Sequence, residues 1–145
     1  MRWQPYIYRT AKEVKEAVVW PAQSNQAAFG ILVCNRGWLA QRGDTVKRFL
    51  KSLREAEDYL VQHLDKAKAI VQKRLNYEDS YIAGVWPQHQ FSLSLDQTLI
   101  VAMKDEARWM INNNLTSEKT IPDFSNYMYI DGLKAIKPDA VNIIR

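Results

Sequence analysis

Between residues 45 and 75 the apolar positions fall at helical spacing. Val46, Phe49, Leu50, Leu53, Ala56 and Leu60 recur every three or four residues, on one face of a helix that Asp44 is placed to cap. Lys47, Lys51 and Arg54 lie on another face. After His63, the residues Leu64, Ala67, Ile70, Val71 and Leu75 repeat the pattern, with Asp65 near the positive end of the peptide dipoles. The tight connection predicts a helical hairpin, closed by Asn76 to Ser80, which lead into an irregular segment. A third stripe of Leu99, Ala102, Met103, Ala107 and Met110 predicts the longest helix, over about 96–113. Ser94-Leu95-Asp96-Gln97 reads as its capping box, and Asn112-Asn113-Asn114 as its end.

Elsewhere the pattern shortens. Thr10-Ala11-Lys12-Glu13 fits another capping box, with a short helix over about 11–16. Ala17 to Trp20 favours a strand that Pro21 stops, and residues 21–27 form a polar loop. Phe29 to Cys34 is a compact apolar run closed by Asn35-Arg36-Gly37, as a buried strand would be. Phe91 to Leu95 alternates apolar and polar, a further strand signal. Pro122 and Pro138 each suit the start of a turn or short helix. The resulting fold class is α/β, helix-rich, with few strands.

Composition narrows the class. At 145 residues and 47% apolar, the chain has the size of one domain and enough apolar mass for a core. Its net charge of +4 is spread with both signs interspersed, which suits a solvated surface. Cys34 is the only cysteine, so no internal disulfide forms, and no paired Cys/His spacing builds a zinc site. No apolar run reaches the ~20 residues of a membrane span. Residues 1–20 lack a secretory pattern, so the chain as given is expected to stay in the cytoplasm.

Candidate chemistry is sparse. His63 and His89 are far apart, and no serine or cysteine sits in a nucleophile elbow, so no catalytic residue is assigned. Cys34, at the end of an apolar run, reads as a packed small side chain. Glu55, Glu57 and Asp58 read as a solvated face pairing with Lys51 and Arg54. Lys47, Arg48, Lys51, Arg54, Lys66, Lys68, Lys73 and Arg74 give a positive surface. Interleaved acids and the lack of a Gly-rich loop or stacking motif disfavour nucleic acid. Trp3, beside Pro5, and Trp86, before Pro87, are the better ligand candidates among five tryptophans, although tryptophan is also an ordinary core residue.

Three landmarks, in order, resemble the sulfonate/nitrate/taurine and thiamine-precursor group of ABC-transporter solute-binding proteins. The first is Trp3-Gln4-Pro5, similar to a Trp-Glu-Pro element near the end of the second lobe. The second is Phe29-Gly30-Ile31-Leu32-Val33 followed by Asp44 to Leu50. The third is Phe91 to Gln97 with its helix, then Tyr127 to Ile144, including Asp131-Gly132-Leu133-Lys134-Ala135-Ile136-Lys137-Pro138.

The resemblance implies a C-terminal portion of such a protein, a partial lobe of the type II periplasmic-binding-protein kind. Residues 1–28 would be the end of the second lobe and the crossover, and residues 29–145 the return strand and C-terminal helices, as a single domain or fragment. It implies capture of a small organic or oxyanion nutrient such as a sulfonate, nitrate or thiamine precursor for an ABC permease, in the periplasm or outside the cytoplasmic membrane. No enzyme activity, cofactor or metal is implied. Trp3 and Gln4 would lie near the cleft, with Asn35 and Trp86 as further ligand-binding candidates. A full member is about twice as long, so uncovered faces predict self-association. The alternative reading is a helical protein-interaction or regulatory module built on the amphipathic pair 45–75.

Overall fold

The computed structural model describes residues 4–20 and 28–144. Seven α-helices stand among them: α1 (Tyr6–Glu13), α2 (Arg36–Gln41), α3 (Gly43–Gln62), α4 (Leu64–Leu75), α5 (Asp79–Val85), α6 (Gln97–Asn112) and α7 (Ile130–Lys134). The chain divides into two compact units. One is drawn from the segment up to Gly30 and from His63–Gln90, the other from Ile31–Gln62 and from Phe91 onward. α3 and α4, expected as a hairpin, therefore belong to different units.

The first unit holds α1, α4, α5 and a 3-10 turn at Trp86–Gln88. α4 has Asp65 in its first turn and Lys73 and Arg74 in its last, each sign complementing the helix dipole. It ends where Asn76 turns left-handed (φ 53°) and the Tyr77 amide donates back to the Gln72 carbonyl at 3.1 Å. α5 was expected to be irregular, yet its Tyr81, Ile82 and Val85 are the unit's buried nucleus. Their i, i+1, i+4 spacing places them on one helical face. Tyr8, Val71, Tyr77 and Trp86 pack around them, with the Tyr8 and Tyr77 rings edge-on to Tyr81 at 5.2 and 4.6 Å. Gly84 lets the Tyr8 ring approach: a Cβ there would stand 3.2 Å from Tyr8 Cε2.

The second unit holds α2, α3, α6, α7 and 3-10 turns at Phe124–Tyr127 and Pro138–Ala140. Asn35 caps α2 by accepting from the Gly37 amide at 2.8 Å. α3 packs on α7, where Gly132 lies beneath the Tyr129 ring and beside Leu50. Leu99, Ile100, Ile130 and Leu133 are the unit's buried hydrophobic side chains.

No sheet forms among the described residues, which overturns the α/β assignment and the periplasmic-binding-protein-like lobe with few strands. An apolar run becomes a strand only where a neighbouring chain completes its hydrogen-bond ladder. Ala17–Trp20 and Phe29–Cys34 have no such neighbour among the described residues. They are largely uncovered, with Trp20 80% and Val33 87% exposed, and Cys34 is exposed as well. Phe91–Leu95 keeps a single parallel bridge, Leu95 with Val141. The loop expected at 21–27 lies outside the described residues.

Three capping assignments also move. α3 starts at Gly43, so Asp44 lies in its first turn rather than at its cap. α1 runs from Tyr6, so Thr10 is inside it rather than at its head. At α6 the cap is Asp96 rather than Ser94, because the shorter reach from Asp96 meets the Thr98 amide at 2.9 Å. No helix among the described residues is long and apolar enough to cross a membrane.

Candidate functional site

In the second unit, the chain entering α6 runs alongside the chain leaving α7. The Leu95 amide donates to the Ala140 carbonyl at 2.8 Å, and the Asn142 amide to the Leu95 carbonyl at 3.0 Å. Side chains extend the contact: Asn142 Oδ1 accepts from the Gln97 amide at 3.1 Å, and Gln97 Oε1 from the Ile144 amide at 3.1 Å. Gln97, expected to reach back within its own helix, secures the C-terminal tail instead.

Beneath this crossing lies an ion pair. Lys137 Nζ stands 2.5 Å from Glu57 Oε1 and donates to the Leu93 carbonyl at 3.1 Å, while Glu57 Oε2 accepts from the Leu93 amide at 3.3 Å. The two side chains are only 19% and 16% exposed, against 37% or more for every other ion-pair partner among the described residues. Glu57 thus joins three segments of chain. The neighbouring pairs on α3 follow expectation, Lys51 with Glu55 at 4.0 Å and Arg54 with Asp58 at 3.0 Å.

Over the pair opens a shallow cavity of about 260 Å3, to which Ser92, Ser94, Asp96, Lys137, Asp139 and Asn142 contribute. It offers hydroxyls, an amide and two carboxylates. The Lys137 charge is already met by Glu57, so the uncompensated charge at the rim is negative. Hydrogen bonds from Thr98, its hydroxyl foremost and its amide also, hold the Asp96 carboxyl below its ordinary value. Asp96 is therefore ionised at neutral pH. A second concavity at Asp123, Ser125, Asn126 and Met128 is formed by a turn whose polar groups bond one another, Asp123 accepting from Ser125 and Asn126.

The candidates singled out in the sequence lie elsewhere. Trp3 falls outside the described residues. Gln4 Oε1 accepts from the Tyr8 amide at 3.3 Å in the first turn of α1, and Trp86 is half-buried at the edge of the Tyr81 cluster, with Lys68 Nζ 5.9 Å from its ring centroid. Asn35 belongs to the other unit, where its side-chain oxygen is engaged at the head of α2. His89 Nδ1 is 2.8 Å from the Val85 carbonyl. No group of three or more acidic, histidine or cysteine side chains suited to a metal occurs among the described residues.

Glu57 was expected on a solvated face with Glu55 and Asp58, yet its side chain is only 16% exposed and pairs with Lys137, which the sequence reading did not single out, although a signal was present. Glu57 falls at the spacing of Leu50, Leu53 and Leu60, so it is a carboxylate on the apolar face of α3, and such a group needs a partner. No protein-family model matches the chain, and no curated protein or solved structure matches it.

Proposed function

We propose that this chain is a capture component rather than a catalyst: the C-terminal portion of a solute-binding protein serving an ABC importer of a small organic or oxyanion nutrient. One observation carries the reading. Two of the landmarks that resemble that family, Asp44–Leu50 on α3 and the Asp131–Pro138 segment, lie far apart in sequence and pack together, Leu50 beside Gly132. The Glu57–Lys137 pair continues the same contact about two turns along α3. The reading no longer draws on a sheet-based lobe.

The cavity beside this contact suits hydrogen bonding to a small molecule, which sulfonate, nitrate and thiamine-precursor ligands all permit. Its rim carboxylates Asp96 and Asp139, with Lys137 already paired, favour a neutral or amine-bearing solute over an oxyanion. Among the three ligand classes, that points toward the thiamine-precursor kind.

The alternative, a helical interaction module, draws on the outward face of α4, where Lys66, Lys73 and Arg74 flank Ile70, itself 57% exposed. Capture from the native cell separates the two. A tagged chain recovered from detergent-solubilised membranes is expected to bring down a permease and an ATPase of one importer. Recovery of soluble partners alone, lost on charge reversal at Lys66, Lys73 and Arg74, would favour the interaction module.

A further inference from the structure

We propose that Ile31, Leu32 and Val33, with the α2–α3 corner that follows them, form a surface that docks on an anionic lipid bilayer. Three consecutive aliphatic side chains stand in solvent here, Ile31 50% exposed, Leu32 65% and Val33 87%, and Trp38 on α2 is 47% exposed. All four belong to the second unit. Apolar side chains grouped in this way mark a surface that is covered when the protein is in use.

Charge identifies what covers it. Between Ile31 and Arg48 stand four cations, Arg36, Arg42, Lys47 and Arg48, against one acid, Asp44, so this stretch holds three of the chain's four net positive charges. All four cations are exposed, and none is in an ion pair among the described residues; Arg36 donates to the Asn126 carbonyl at 3.3 Å. Arg36 follows Val33 by three residues, at most about 11 Å of chain, so apolar and cationic groups adjoin. A bilayer with acidic headgroups meets both demands at once. Its phosphates take the guanidinium and ammonium groups, the acyl boundary beneath takes the aliphatic side chains, and tryptophan suits the level between. Nucleic acid offers phosphates but no apolar phase for Leu32 and Val33. A second copy, meeting this surface with its own, would set the same four cations against these.

Co-sedimentation of the full chain with vesicles reads the docking with no protein partner present, so its outcome is independent of the importer reading. Binding is expected to vesicles of phosphatidylcholine with one third phosphatidylglycerol, to be weaker by about tenfold or more on phosphatidylcholine alone, and to fall as salt is raised. Lys47→Ala with Arg48→Ala removes two cations and should weaken it by about thirtyfold. Leu32→Ser with Val33→Ser should weaken it by about tenfold or more. These side chains are exposed, so the circular dichroism of the variants should match the parent, which separates lost contact from lost fold. A polarity-sensitive dye on Cys34, the chain's only cysteine and exposed, should shift its emission to the blue on anionic vesicles. Absence of vesicle binding overturns the proposal, whether the chain then self-associates or retains an oligonucleotide instead. So does equal binding to neutral vesicles, binding indifferent to either pair of substitutions, or a dye that stays in water.

Discussion

Asp96 sets the head of α6. Its carboxylate accepts from the Thr98 amide at 2.9 Å, one of the amides a helix start leaves without an intrahelical partner. Asp96→Ala should cost about 1 kcal/mol in urea unfolding at neutral pH. Because the folded-state pKa lies below the ordinary 3.8, the stabilisation is present in full above that value and is lost as pH falls through the lowered one. The variant and the parent should therefore converge in stability well below pH 4. A gap that persists there would mean that the carboxylate charge is not what the cap depends on.

Asn76 illustrates the same scale at a helix end. Its left-handed backbone is tolerable for asparagine and unfavourable for a β-branched residue, so Asn76→Val should destabilise by about 1–2 kcal/mol. Asn76→Gly should be neutral or slightly stabilising in the same measurement. This residue and the Asn112–Asn114 run, where Asn114 is left-handed, were legible in the sequence because asparagine names its own backbone. Ser94 and Thr10 were misread because a capping box marks several registers one or two residues apart, and only the hydrogen bond selects among them.

At the scale of elements, the period of 3.6 was the reliable signal. α3, α4 and α6 appear within a residue or two of where their apolar stripes place them. α5 and α7 were not seen, since 7 and 5 residues are too short to show a period, yet they carry buried residues in both units. At Gly132 in α7 a Cβ would run into the Tyr129 ring and lie 3.3 Å from Leu50 Cδ1. Gly132→Ala should therefore lower stability by about 1–3 kcal/mol despite alanine's better helix propensity. Gly43→Ala, where nothing lies within 4 Å, should not lower it. Equal melting temperatures for the two variants would count against the α3–α7 packing.

The expected strands failed at this same scale. Hydrophobicity and β-branching report what a segment suits, whereas a strand exists only through its neighbour, and Phe29–Cys34 has none among the described residues. A local pattern cannot reveal a missing partner.

For the whole molecule, the site was the least legible feature. The cavity at the α6 entrance and the C-terminal tail is assembled from residues more than 40 positions apart, and its organising pair spans 80. Glu57 reads in the sequence as part of a solvated face, although it falls at the spacing of Leu50, Leu53 and Leu60, and only the fold identifies its partner. The functional reading rests on the packing of α3 against α7, where two family-like landmarks meet at Leu50 and Gly132 and which the Glu57–Lys137 pair extends. The most direct measurement is a double-mutant cycle on Glu57→Gln and Lys137→Met, followed by urea unfolding. Each single substitution strands a half-buried charge and should cost about 1–3 kcal/mol, while the pair together should cost less than their sum by about 1 kcal/mol or more. Strictly additive effects would mean that the two groups do not meet, and would remove the contact that extends this packing.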